Sequence, residues 1–77
     1  SWDALRGVLV LAVDDDTDVL LATEAALSAR GCFVLLARDL AEALRRIDDT
    51  PRFPDVLLID HWLRATPSGA DAATAII

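Results

Sequence analysis

Lysine is absent from this chain, and all of its permanent positive charge comes from seven arginines. Aspartate and glutamate outnumber them at thirteen, so the formal net charge is −6 and the isoelectric point is near 4.3. Nucleic acids and anionic membrane surfaces bind proteins through clustered lysine and arginine. We therefore expect no direct nucleic-acid partner and no membrane contact.

Cysteine is almost absent as well, since Cys32 is the single thiol. An internal disulfide is thereby excluded, and a reducing compartment fits best. Cys32 stands in an apolar stretch, where a small buried hydrophobe is the expected role rather than a reactive thiol. No apolar run approaches the ~20 residues of a membrane span. We expect a cytoplasmic domain, which leaves open a membrane-anchored parent chain.

The length of 77 residues allows one domain at most. A chain of this size buries only about 60–65% of its unfolded surface, which leaves little margin for an incomplete core. Hydrophobic residues nevertheless make up 55% of the composition, which is high for a small domain. We therefore expect these residues to form part of a larger core.

Three short apolar runs alternate with segments of helical periodicity. The runs cover residues 8–13, 32–37 and 56–59. They are rich in Val, Leu and Ile and lack polar alternation, which is typical of parallel strands covered on both faces. Asp16 or Thr17 is expected to cap the start of the first helix, and Gly31, after Arg30, is expected to stop it. Its expected core face consists of Val19, Leu20, Thr23, Ala26 and Leu27.

A second helix is indicated by Asp39 and Glu42, which have the spacing of a capping box. Its expected apolar stripe consists of Leu40, Ala43, Leu44 and Ile47. Residues 48–54 contain two prolines and are expected to connect it to the third strand. Ser68 and Asp71 form a plausible capping pair for a third helix, whose buried face would consist of Ala73, Ile76 and Ile77.

Alternating strands and helices with short connections predict a right-handed parallel α/β layer. We expect three parallel strands and about three helices. At least one edge of such a sheet is open, and open edges invite pairing with another chain. Further sequence, a domain swap or a homodimer would cover the open edge.

Two of the apolar runs end in acids. Asp14 and Asp15 follow the first run, and Asp60 follows the third. The carboxyl ends of parallel strands share one edge of the sheet, so these carboxylates should converge. Two ionised carboxylates at ~4 Å repel by roughly 4 kcal/mol at an effective dielectric near 20, which calls for bound protons or a bound cation. A divalent metal is the simpler answer, whereas Asp16 and Asp18 are expected only to favour the start of the helix.

The ordered set of motifs resembles the receiver (response regulator) domain of two-component signalling. The matching pieces are VLVLAVDDD at 8–16, the first helix with Leu20 and Leu27 before Arg30-Gly31, the segment 37–44, and PDVLLID at 54–60. In addition, 45 positions separate Asp15 from Asp60, close to the spacing in that family. The resemblance implies a flavodoxin-like fold of which residues 8–77 form the N-terminal part, with residues 1–7 as a lead-in.

The resemblance also implies roles for four residues. Asp60 would accept a phosphoryl group from the phosphohistidine of a histidine kinase or phosphotransfer domain. Asp15 would bind Mg²⁺ directly, Asp14 would hold it through water, and Trp62 would offer its backbone carbonyl. Mg²⁺ prefers oxygen ligands and neutralises charge on a transferred phosphoryl group, which agrees with this set.

Several features depart from the family pattern. The sequence stops before the threonine or serine of the family's fourth strand and the lysine of its fifth. Leu63-Arg64 replaces the usual Met-Pro, and the loop to Gly69 is one residue longer, which resembles receivers of hybrid sensor histidine kinases.

Two other functions stay open. One is a degenerate receiver that is not phosphorylated and serves as a dimerisation or protein-interaction module. The other is a hydrolase of the haloacid dehalogenase type, for which Asp14 and Asp16 have the formal spacing.

Overall fold

Strands and helices alternate through residues 5–60, the part of the chain that the computed structural model describes. The elements are β1 (Leu9–Val13), α1 (Thr17–Ser28), β2 (Phe33–Ala37), α2 (Leu40–Asp49) and β3 (Val56–Ile59). The three strand predictions are confirmed, and two of the strands start one residue later than expected. The expected third helix and residues 1–4 of the lead-in lie outside the described residues.

The three strands form one parallel sheet in the order β2-β1-β3. Because β2 and β3 lie on opposite sides of β1, two right-handed crossovers place α1 and α2 on opposite faces of the sheet. The described residues thus form a small α/β unit with three strands and two helices. Neither helix has the length and hydropathy of a membrane span.

The hydrophobic core lies between the sheet and α2. Leu11, Val13, Ala37 and Ala43 are almost fully buried there. The partly buried residues Leu35, Leu40, Ile47, Leu57 and Ile59 pack against this cluster. Side chains alternate along each strand, so the inward positions of all three strands meet one helix. The strand β1 is buried along its whole length, as expected for the centre of a parallel sheet.

Several apolar side chains outside this core are exposed to solvent, and three expectations are corrected as a result. Leu44 was expected in the buried stripe of α2, but its side chain is 40% exposed. On α1 the expected core face is wrong for Val19, which is 45% exposed, and for Ala26, and only Leu20 of that helix is buried. Coverage of both faces holds for β1 alone, because Val56 and Leu58 of β3 and Phe33 of β2 are exposed.

The helix boundaries follow from local hydrogen bonds. Asp16 caps α1, since its carboxylate accepts from the backbone N–H groups of Asp18 and Val19. At the other end, Gly31 N–H donates to Ser28 O and Cys32 N–H donates to Leu27 O, the paired bonds of a Schellman motif. Gly31 has φ +90°, and a Cβ there would lie 3.1 Å from Arg6 Cα. Both the backbone conformation and the close contact therefore favour glycine at this position.

One of the two hydrogen bonds expected for the capping box of α2 is confirmed, and the other has a different donor. Asp39 Oδ1 accepts from the N–H of Glu42 at 2.7 Å, while Glu42 Oε1 accepts from the N–H of Arg38 rather than from that of Asp39. The helix continues to Asp49, two residues into the segment that was expected to be a connection. Cys32 is buried as expected, and its thiol lies 3.5 Å from Leu5 O.

Candidate metal centre

Asp14 and Asp60 occupy equivalent positions at the end of neighbouring strands. Val13 of β1 is paired with Ile59 of β3, so the next residue of each strand is an aspartate. The ladder continues past both strand ends: Asp60 N–H donates to Val13 O at 2.9 Å, and Asp14 N–H donates to Ala37 O at 3.0 Å. Main-chain hydrogen bonds therefore hold both aspartates at the carboxyl edge of the sheet.

Three carboxylates meet at this edge. One oxygen each from Asp14, Asp15 and Asp60 lies within 4.8 Å of the others. Asp15 is exposed, whereas Asp14 and Asp60 are partly buried. The convergence expected from the two acidic strand ends is therefore present in the described residues, although exposed acidic groups also cluster without binding metal.

The spacing fits a small divalent cation. With bonds of about 2.1 Å, octahedral Mg²⁺ holds adjacent ligand oxygens roughly 3.0 Å apart and opposite ones roughly 4.2 Å apart. Ligand atoms within 4.8 Å of one another need only a small closure to reach this arrangement. An all-oxygen donor set with open sides for water also suits Mg²⁺, which retains part of its hydration shell. The residues present thus fit the metal that the sequence predicted.

The neighbouring acid Asp16 does not belong to the cluster. Asp14 Oδ1 accepts the backbone N–H of Asp16 at 2.9 Å, which turns the chain away from β1. Asp16 Oδ1 in turn serves as the cap of α1. A hydrolase that uses Asp14 and Asp16 as a pair would need both carboxylates at one reacting centre, so the local geometry disfavours it.

An open cleft of about 220 Å³ adjoins the carboxylates. Its lining consists of Ala12, Val13, Asp14, Val19, Leu20, Thr23, Leu58, Ile59 and Asp60. The cleft lies between α1 and the ends of β1 and β3, where the crossover direction reverses. Ligands of open α/β sheets bind outside the carboxyl ends of the strands at such a switch point.

A second open cleft, of about 470 Å³, adjoins Asp15. Arg38, Asp39 and Glu42 complete its lining, so the end of β2 and the start of α2 face the same carboxylate. Sequence reasoning missed Arg38 as a site residue. The available signal was its position directly after a strand, equivalent to that of Asp14 and Asp60.

Asp55 was also missed, and it determines the alignment of β3. Its Oδ2 accepts from the N–H of Leu9 at 2.8 Å, while its own N–H donates to Leu9 O at 2.8 Å. Arg52 lies 3.4 Å from the same carboxylate oxygen and donates to Gly7 O. This clamp joins the first residue of β1 to the residue that precedes β3, and the resulting register places Asp60 beside Asp14 five residues later.

Trp62, expected to offer a backbone carbonyl to the metal, lies outside the described residues. Searches of family models, curated proteins and solved structures found no match to this chain. The receiver resemblance therefore depends on the sequence motifs and on the acidic edge described above.

Proposed function

We propose that the chain is the N-terminal part of a flavodoxin-like receiver domain in which Asp60 accepts a phosphoryl group with the help of Mg²⁺. The donor is the phosphohistidine of a histidine kinase or phosphotransfer domain, and the parent protein is a hybrid sensor kinase or a response regulator. The function belongs to phosphorelay signalling in the cytoplasm. The observation that carries this proposal is the convergence of Asp14, Asp15 and Asp60 at the carboxyl ends of β1 and β3.

Three further features support it. The strand order β2-β1-β3 is the order with which a flavodoxin-like sheet begins. The Asp60 carboxylate lines an open cleft, so a phosphodonor can approach it. Ladder hydrogen bonds hold Asp14 and Asp60, which favours a reaction that requires a fixed distance between nucleophile and metal ligands.

Each residue has a distinct part in the reaction. An Asp60 carboxylate oxygen attacks phosphorus and forms a new P–O bond while the P–N bond to histidine breaks. The imidazole keeps the electron pair and takes up a proton, so no base is required on the receiver side. Mg²⁺ held by Asp14, Asp15 and Asp60 would supply neutralisation of the charge on the phosphoryl oxygens. Val19, Leu20 and Leu58 form the apolar side of the cleft.

Phosphoryl uptake from acetyl phosphate tests the proposal without a kinase. We expect the 77-residue chain with Mg²⁺ to gain the mass of one phosphoryl group, as acetate leaves with the electron pair of the broken P–O bond. Asp60→Asn should abolish this gain, and EDTA should abolish it in the unaltered chain. Asp18→Asn is the matched control, because Asp18 is an exposed acid outside the cluster. Uptake that survives Asp60→Asn, or no uptake by a folded chain, would contradict the proposal.

A degenerate receiver that only binds other proteins is the second candidate. It is favoured by exposed apolar side chains, namely Val19 of α1 and Leu58 of β3 beside the site and Val56 at the start of β3. Sedimentation of the chain with and without Mg²⁺ separates the two candidates. An interaction module associates with equal affinity in Asp60→Asn and does not respond to Mg²⁺ or to acetyl phosphate.

A further inference from the structure

Charge balance at the acidic edge leads to an inference that rests on the proposed function. Asp14, Asp15 and Asp60 together carry three negative charges, and a divalent cation offsets only two of them. Phosphorylation converts the Asp60 carboxylate into an acyl phosphate, so its single negative charge is replaced by about −1.5 to −2 at neutral pH. The phosphorylated edge is thus strongly negative unless another cationic group of the protein contributes.

The chain has no lysine, so arginine is the one basic residue type within residues 5–60. Arg52 is engaged at the opposite edge of the sheet, where it donates to Gly7 O and contacts Asp55. Arg46 donates its Nε–H to Leu36 O from the exposed side of α2. Among the arginines within residues 5–60, Arg38 is the one that directly follows a strand at the carboxyl edge.

Register places Arg38 in one row with two of the carboxylates. Val13 is paired with Ala37 on one side and with Ile59 on the other. The next residues along β2, β1 and β3 are therefore Arg38, Asp14 and Asp60. Neighbouring strands lie about 4.8 Å apart, which puts the Cα atoms of Arg38 and Asp60 roughly 10 Å apart.

The environment of Arg38 leaves its guanidinium available. Its backbone N–H donates to Glu42 Oε1 at 2.9 Å, which fixes the start of the side chain at the first turn of α2. Within the described range, no hydrogen bond or ion pair joins its guanidinium to another residue. Arg38 lines the open cleft with Asp15, and Asp15 also belongs to the carboxylate cluster that contains Asp60. An arginine side chain that extends over Asp15 can reach a group attached to Asp60.

We propose that Arg38 binds the phosphoryl group during its transfer to Asp60 and holds it there afterwards. The guanidinium donates to phosphoryl oxygens, for which its planar fork of N–H groups is well suited. It thereby offsets negative charge that the metal leaves uncompensated. Arg38 also lies beside a metal ligand, so its charge weakens the binding of Mg²⁺ to the unphosphorylated protein.

These two effects give opposite results in one variant. We expect Arg38→Gln to slow phosphoryl uptake from acetyl phosphate roughly tenfold at saturating Mg²⁺, because a charge-assisted hydrogen bond to the reacting group is lost. In the same variant Mg²⁺ should bind at least as tightly as before. Arg38→Lys should restore part of the rate, since it keeps the charge but not the fork.

Arg45→Gln is the matched control, because Arg45 is an exposed arginine of α2 away from both clefts. Equal rates in Arg38→Gln and Arg45→Gln, with Asp60→Asn inactive, would overturn the role of Arg38 and leave the proposed function standing. A tenfold slower rate together with weaker Mg²⁺ binding would also overturn it, because the residue would then act by supporting the metal site. Failure of the unaltered, folded chain to take up phosphate would overturn both proposals.

Discussion

The carboxylates of Asp14, Asp15 and Asp60 at the acidic edge lower the stability of the fold. Three carboxylates whose oxygens lie within 4.8 Å repel one another when no cation is bound. Asp15 is the most exposed of them, and within residues 5–60 its side chain accepts no backbone hydrogen bond, unlike that of Asp14, which accepts the N–H of Asp16. Stabilising substitutions are commonly available at such functional positions, and their cost is a loss of function.

Replacing Asp15 by asparagine should therefore separate stability from metal binding. In EDTA, we expect Asp15→Asn to raise the free energy of unfolding by about 0.5–1 kcal/mol, a small value because solvent screens an exposed charge. The same change should weaken Mg²⁺ binding at least tenfold. Urea denaturation and Mg²⁺ titration measure the two effects. Asp18→Asn is the control and should lower stability slightly, since the first turn of α1 favours negative charge. A loss of stability in Asp15→Asn would refute the repulsion argument.

At the scale of elements, α2 depends on its cap. Asp39 supplies the first side-chain hydrogen bond of a ten-residue helix that contributes Leu40, Ala43 and Ile47 to the core. We expect Asp39→Ala to lower the free energy of unfolding by about 1 kcal/mol, the usual effect of losing such a cap. Asp48→Ala, at the other end of the same helix, should be neutral or slightly stabilising, because negative charge is unfavourable there. Equal effects in denaturant titrations of the two variants would contradict this assignment.

The elements also show what the sequence could and could not predict. The strands were predicted to within one residue, since Gly and Asp bound short runs that are apolar throughout. The buried side of α1 was not, because apolar residues surround much of that helix: Leu20 is buried, whereas its neighbours Val19 and Leu21 are exposed. Apolar periodicity predicts the buried side of a helix only where the opposite side is polar, as it is on α2. Even on α2, Leu44 lies outside the core.

Part of the candidate site was also predictable from the apolar runs. Asp14, Asp15 and Asp60 follow apolar runs, and parallel strands bring such residues to one edge regardless of how the helices pack. Arg38 also follows an apolar run and could have been noticed for that reason. Its place in one row with Asp14 and Asp60, like the role of Asp55, required the register, which no local pattern gives. Leu9 pairs with Phe33 and is clamped by Asp55, and these contacts span 24 and 46 positions along the chain.

At the scale of the whole molecule, metal binding and folding should be coupled. The ends of β1 and β3 supply all three carboxylates, so the cluster exists only when the sheet is formed. A ligand that binds only the folded state stabilises it by RT ln(1 + [L]/Kd), which is about 2.7 kcal/mol when the free ligand is at 100 times Kd. Mg²⁺ should therefore raise the unfolding midpoint of the entire domain and not merely order its edge.

NaCl is the control for general charge screening, because a protein with a net charge of −6 is also stabilised when salt screens its charges. We expect MgCl₂ to raise the midpoint of thermal unfolding more than NaCl does at the same ionic strength. The variant Asp14→Asn with Asp60→Asn should respond equally to the two salts, since it keeps the fold but loses two of the three ligands. An equal response of the unaltered protein would mean that the acidic edge is merely screened, and that the strand ends do not bind a metal ion.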